Sequence, residues 1–350
     1  MTRNVASVEK VLNSRCSGDL EVGPRKVHWS TFINRRPPQN IINHILGCCN
    51  IPRFSSGKLQ QWFKDGDLFL GFKKPNDPYT ERLLHIESGM QHEAVHLACA
   101  AQGVGTCIYD QGINGTEYGE RITTARHVIM DMANPYKSGK FTAEAPGPEK
   151  PFILGKNLCE PLRDGDLECM PLLERLASSN KSGSSATEKN VSQLLWAARG
   201  RTPHCVCIGK WKLMWGLTIP TAGGVQNFTT VYLVRDNKIF LYINWTKSFS
   251  LLNRAFREKL KWTRGNPTHD LQFVRDLAIG SQLNGADGAI IFCQNEDTRR
   301  SLWEVGYMLE NIFLQAKSLD ISYESKVFSA DTVSQLNELE VANAVAAVFL

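Results

Sequence analysis

Apolar residues recur every three to four positions in several stretches of the chain, the period of a helix with one buried face. Two stretches show it best. In HIESGMQHEAVHLACAAQGVGT, residues 85–106, Ile86, Met90, Ala94, Leu97, Ala98 and Ala101 fall on one stripe. In LWEVGYMLENIFLQAKSLDIS, residues 302–322, the stripe is Val305, Leu309, Ile312, Phe313, Ala316 and Leu319. Shorter helices are predicted in NIINHILGCCN and VSQLLWAARG, and strands in VYLV and in the terminal VANAVAAVFL, which reads as a buried final strand. Between the periodic segments, residues 134–157 carry proline and glycine and read as a linker. The polar run SSNKSGSS, residues 178–185, reads as a mobile loop.

These elements repeat. A helix leading into a small-residue turn and then a strand occurs at NIINHILGCCNIPRFSSGKLQQW and again at VSQLLWAARG followed by LTIPTAGGVQNFTTVYLV, so that Ser55, Gly57 and Gln60 match Thr221, Gly223 and Gln226. In the long helices, Glu87, Gly89, Glu93 and Leu97 match Glu304, Gly306, Glu310 and Leu314. Upstream, VLNSRCSGD around Arg15 matches LLERLASSN around Arg175. A mid-helix glycine costs about 1 kcal/mol relative to alanine; its presence in both long helices predicts a close approach of one helix to another. The order of the elements predicts two domains, residues 1–150 and 151–350, which suits a chain of 350 residues.

Composition adds mainly exclusions. A net charge of +5 is dispersed without a basic block, which argues against nucleic acid as the principal partner. No stretch approaches the length of apolar chain that a membrane helix needs, and MTRNVASVEK has no signal-like apolar core, so a cytoplasmic protein without a membrane partner is expected. The ten cysteines are scattered and read as reduced thiols. His204, Cys205 and Cys207 have metal-ligand chemistry, but alternation in a strand accounts for the same residues, and no metal is expected.

Taken in order, these segments resemble the nitroreductase superfamily, with its R-x-S near the N-terminus, its P-S-x-x-N-x-Q turn and its later helix patterned E-x-G and closing in G-L-G-T. LLERLASSNKSG, QLLWAARG and IPTAGG with VYLV are similar to the SagB-type flavin dehydrogenases. The resemblance implies an α+β fold of a sheet flanked by helices, and a dimer holding FMN at its interface. A tandem chain would supply both subunits as an intramolecular pseudo-dimer and could act as a monomer.

The matched positions imply an uneven pair of sites. Arg15 and Ser17 keep R-x-S for the FMN phosphate, where the second copy has Arg175 but Ala177. Gly103, Gly105 and Thr106 keep G-x-G-T, where the second copy has Asp320 and Ser322. Pro220, Thr221, Ala222 and Gly223 keep the small-residue turn, whereas the first copy has Phe54 for proline and Lys58 for asparagine. One composite site would therefore combine Arg15, Ser17, Gly103, Gly105 and Thr106 with Pro220, Thr221, Ala222 and Gly223, and its mirror would be impaired. Lys137 and Lys140 resemble the basic residues that complete the phosphate site, and read equally well as linker charges.

The spacing from turn to helix also differs, from Gly57 to Glu87 against Gly223 to Glu304, so a lid is expected in residues 247–271 unless that stretch is a surface helix pair. With FMN bound, hydride would pass between NADH or NADPH, flavin N5 and a small organic substrate, and no catalytic triad, metal motif or Rossmann fingerprint is called for or found. No proton-transfer residue stands out, though Tyr109 and His92 lie close to the flavin motifs in sequence. Three functions remain open: an FMN-dependent oxidoreductase of nitroreductase or SagB-like type, a non-catalytic flavin-binding protein or partner subunit of a biosynthetic complex, and an enzyme that has exchanged flavin for another ligand.

Overall fold

The computed structural model describes residues 37–48, 54–55, 58–64, 67–101, 104–109, 116–118, 121–131, 183–202, 206–208, 211–213, 216–220, 228–235, 238–243, 259–262, 286–338, 341 and 343–350. In chain order its elements are α1 (Gln39–Cys48), β1 (Gln60–Lys64), β2 (Asp67–Phe72), α2 (Pro78–Ala101), β3 (Val104–Tyr109), β4 (Thr116–Tyr118) and β5 (Arg121–Asp131). Then come α3 (Glu188–Arg199), β6 (Arg201–Thr202), β7 (Val206–Ile208), β8 (Trp211–Leu213), β9 (Gly216–Leu217), β10 (Thr229–Arg235), β11 (Lys238–Ile243) and β12 (Lys259–Trp262). The chain closes with β13 (Gly288–Gln294), α4 (Arg299–Ser318), β14 (Glu324–Val327), α5 (Ala330–Glu338) and β15 (Ala344–Phe349). The architecture is mixed helix and sheet, as the residue pattern predicts.

The helices begin where local chemistry tells them to. Asp77 precedes Pro78, and its carboxylate accepts from the backbone N–H of Thr80 at 2.9 Å and of Tyr79 at 3.2 Å. That pairing of an acidic cap with proline in the first turn starts α2, because proline there gives up a donor the helix could not use. Thr187 caps α3, accepting from Asn190 N–H at 3.2 Å, and Thr298 caps α4, accepting from Ser301 N–H at 3.3 Å. α4 ends as Asp320 takes a left-handed φ of 52°.

Two antiparallel sheets carry the helices. One runs β1-β2-β5-β3 with β4 beside β5; the other runs β12-β11-β10-β13-β15-β14. The path β1-β2-β5-β3 and the path β10-β13-β15-β14 have the same order and the same antiparallel sense, and each has its long helix between its second strand and the edge strand. β11 and β12 are the extra elements. Together they extend the second sheet beyond β10, with Phe240 opposite Trp262. The stretch in which a lid or helix pair is expected therefore contains edge strand β12 at 259–262, and its remaining residues lie outside those described.

β13 is buried along its whole length, which requires cover on both faces of the sheet. One face joins the main core, where Ile290 and Phe292 pack with α2, α3 and α4 through Met90, Trp196 and Trp303. The other, with Ala289, Ile291 and Cys293, forms a smaller cluster with Phe328 and with Leu336 of α5. The predicted terminal strand is β15, with every residue buried. The expected loop of 178–185 differs at its described end. Ser184 bridges Ile321 in parallel, Gly183 N–H donates to Ser322 Oγ at 2.7 Å, and a Cβ at 183 would overlap the Asp320 carbonyl, so polar composition there serves a close backbone contact.

Candidate functional site

At the centre of the molecule α2 and α4 cross. A Cβ on Gly89 would meet the Trp303 carbonyl and come within 2.8 Å of its Cα, while one on Gly306 would meet the Ile86 carbonyl and come within 2.7 Å of Met90 N. In the matched numbering of the repeat, Ile86 corresponds to Trp303 and Gly89 to Gly306, so each glycine faces the residue equivalent to the one facing its partner. The expected close helix approach is thus present, and it is reciprocal. Main-chain contact leaves no room for any side chain at either position.

Polar side chains line this buried helix pair. Glu87 is fully buried and receives two bonds from the turn at Ser55, one from its N–H at 2.6 Å and one from its hydroxyl. The matched Glu304 is held differently: Thr229 Oγ donates to it at 3.0 Å and Arg199 Nη1 at 3.4 Å, and the same Arg199 nitrogen donates to Thr229 O at 3.1 Å. Burial pushes the Glu304 carboxyl up to about 7, with Arg199 and Thr229 opposing. Glu310 is pushed up to about 8, again by burial; Lys317 opposes the shift and Glu93 adds to it. Burial lowers His85 to about 4, helped by Arg299. The thiols of Cys99 and Cys293 are pushed far up by burial and are unreactive at neutral pH. His92 packs edge-on against Trp303 and lies 3.3 Å from Ser88 Oγ. It is fully buried within the helix pair.

The residues matched to the flavin motifs fall unevenly across the described structure. Arg15, Ser17, Gly103, Thr221, Ala222 and Gly223 lie outside the described residues, as do Lys137, Lys140, Arg175, Ala177, His204 and Cys205. Gly105 and Thr106 lie on β3 directly after α2, opposite Met130 and Ile129 of β5, and Thr106 is buried. Pro220 is half-buried at the end of a segment bonded to α4 through Asn311. The two elements therefore border the same helix pair from opposite halves of the chain. The residues at the mirror positions are engaged within the protein: the donors of Ser55 are spent on Glu87, the Asp320 carbonyl accepts from Ser184 N–H at 2.8 Å, and Ser322 N–H donates to Ser184 O at 2.9 Å. Among the described residues no group of three or more His, Cys, Asp or Glu side chains could hold a metal, and no helix is long and apolar enough to cross a membrane.

Sequence reasoning missed Arg199, Thr229 and Asn311 altogether. Their partners are 30 to 114 residues away in sequence, and no spacing rule connects them. The only available signal was the repeat itself, which singled out Glu87 and Glu304 as a matched pair of helix carboxylates.

No protein-family profile matches the chain, and no curated protein matches it by sequence. Among solved structures, a presumed nitroreductase from Anabaena variabilis superposes with a TM-score of 0.50 at 11% identity, covering 89% of this chain and 73% of that one. A presumed nitroreductase from Thermotoga maritima gives 0.43 at 12% identity over 100% of this chain and 95% of the other. One from Ralstonia eutropha gives 0.38 at 19% identity over 59% and 94%. The fold is nitroreductase-like, on the strength of the first of these.

Proposed function

We propose that the chain is an FMN-dependent oxidoreductase in which two nitroreductase-like units, residues 1–150 and 151–350, form one composite flavin site between them. The observation that carries this reading is the reciprocal crossing of Gly89 and Gly306. Equivalent surfaces meeting with residue i on j and j on i are the mark of a twofold subunit contact, here within one polypeptide. The shared order of the two sheet paths supports the same reading.

The engaged mirror residues favour a single site. A turn binds flavin through backbone and hydroxyl donors that must be free to receive it, and those of Ser55 are already satisfied by a buried carboxylate. The segment ending at the half-buried Pro220 is anchored through Thr218 N–H to Gly200 O, and Thr221, Ala222 and Gly223, which follow it in the sequence, are small residues of the kind that let a planar ligand come close. Arg15 and Ser17 supply a guanidinium fork and a hydroxyl for the phosphate, and Gly103, Gly105 and Thr106 close the other side. FMN, when bound, supplies hydride transfer at N5, from NADH or NADPH and to or from a small organic substrate. The protein's part is to orient the flavin between the halves and exclude water. The SagB-like segments of residues 151–350 make oxidation of a ring or C–N bond a fitting direction, and a monomer suffices.

The purified protein is therefore expected to be yellow, with one FMN per chain that NAD(P)H bleaches. Arg15→Ala should weaken FMN binding at least tenfold and Arg175→Ala less than twofold, measured by flavin fluorescence quenching; equal losses would refute the choice of site. Flavin that binds but resists reduction would favour the binding-protein reading, and a colourless protein that takes up no FMN would overturn both.

A further inference from the structure

A cavity of about 200 Å³ opens where the start of α2 meets the second sheet. Arg82 of α2 lines one side; Asp297, just after β13, and Asn343, just before β15, line the other. The cavity thus lies between the two proposed units, the kind of junction at which ligand sites concentrate. Gly105 and Thr106 follow the far end of α2 at Ala101, so about 28 Å of helix separates them from Arg82. The volume is below the roughly 300–1,000 Å³ of sites for drug-sized ligands, too small for a dinucleotide and suited to a small metabolite.

The walls are held in place by the protein, and their charges are unspent. Gln294 Nε2 donates to Ser301 Oγ at 2.6 Å, and the same hydroxyl lies 2.8 Å from Glu296 O and 2.6 Å from Thr298 O, which braces the turn carrying Asp297. Asn343 holds a left-handed φ of 57°, which asparagine tolerates. Its N–H donates to Asn337 Oδ1 and its O accepts from Gln294 N–H, both at 2.9 Å, so its backbone is fixed on both sides. Arg82 Nη1 donates to Phe328 O at 3.4 Å, which keeps the guanidinium beside the start of α5 and leaves its other N–H groups for a ligand. Among the described residues the Asp297 carboxylate has no hydrogen bond or ion pair, with Arg82 or any other group. Between these opposite charges the lining is apolar, from the half-buried Val333 of α5 and the buried Ala344 and Val345.

We propose that this cavity is a second ligand site, which takes a free α-amino acid with a small aliphatic side chain. Its carboxylate lies against Arg82, its ammonium against Asp297, and its side chain against Val333, Ala344 and Val345. An unpaired cation and anion facing one small space match a ligand that carries both charges on neighbouring atoms. A ligand held by Arg82 from the first unit and Asp297 from the second ties the two together, so it stabilises the folded chain. The inference stands apart from the flavin reading and uses none of its residues.

The test is calorimetric titration and thermal melting of the full chain with L-valine, with isovalerate, which lacks the ammonium, and with isobutylamine, which lacks the carboxylate. L-Valine should bind saturably with a dissociation constant below about 1 mM and raise the melting temperature, and each analogue should bind at least tenfold more weakly. Arg82→Gln and Asp297→Asn should each weaken L-valine binding at least tenfold. Glu296→Gln, an exposed carboxylate next to Asp297 that does not line the cavity, should leave it within threefold. If Arg82→Gln does not fold, Asp297→Asn, on an exposed turn, decides alone. No saturable binding of L-valine, isovalerate or isobutylamine bound as tightly, or an equal loss in Glu296→Gln overturns the proposal.

Discussion

At Gly89 and Gly306 the decisive quantity is the space one methyl group would occupy. Each added Cβ would meet backbone, which cannot rotate away as a flexible side chain can. Gly89→Ala and Gly306→Ala should each destabilise by about 1–3 kcal/mol, as overpacked cores do. Because the contact is reciprocal, the two costs should be similar, and the double variant should lose less than their sum, since separating the helices for one methyl makes room for the other. Gly47 on α1 has open space around its would-be Cβ, so Gly47→Ala should stabilise by up to about 1 kcal/mol. Urea denaturation of the four variants checks all of this; a neutral Gly89→Ala would remove the crossing as the reason for glycine there. The two glycines were legible in the sequence because a residue that costs helix stability stood at matched places in two helices. Ser55 and Glu87 were both visible as parts of the repeat, but their bond was not, since a hydroxyl in a turn and a carboxylate on a helix 32 residues later satisfy no periodic rule.

Helix α4 carries its own pH dependence. Its carboxyls Glu304 and Glu310 are held at about 7 and about 8, above the ordinary 4.5, so the folded state binds more protons than the unfolded chain across that interval. Where the native state binds more protons, stability falls as pH rises, so their contribution is complete below the unfolded value and is lost as pH climbs through 7 to 8. His85 acts oppositely: held at about 4 against 6.5, it removes stability as pH falls from 6.5 towards 4. The melting temperature should therefore be higher near pH 6.5 than at pH 8.5. Glu310→Gln, which keeps the shape and cannot ionise, should flatten that alkaline loss, and thermal melts across this range that are unchanged by the substitution would remove Glu310 as its source. At this scale the sequence revealed the elements well, since helical period marks α2 and α4 directly, and the longer spacing after Gly223 announced a region that the shortened first half lacks. The form of that region was hidden. Residues 259–262 become an edge strand because Trp262 and its neighbours pair with β11, a choice made by the partner strand rather than by local pattern.

Across the whole molecule, the main core does not respect the boundary between the two proposed units. Leu68, Ile86, Met90 and Leu97 pack in the same continuous cluster as Trp196, Val231, Ile290 and Trp303. α2 is buried nearly all round in its central turns, so residues 1–150 alone would expose a wide apolar surface that the chain cannot rebury. Two domains joined only by a linker would unfold separately, whereas units sharing one core lose it together. A single calorimetric transition is therefore expected for the 350-residue chain, with van't Hoff and calorimetric enthalpies in agreement, and both Gly89→Ala and Gly306→Ala should shift that one transition. Two resolved transitions, with each glycine variant moving only its own, would mean that the units are stable apart and that the crossing is a contact between finished domains. A single transition would instead make the helix crossing part of what folds each unit, so that a flavin at the proposed site between the halves would stabilise the entire chain and not one domain of it.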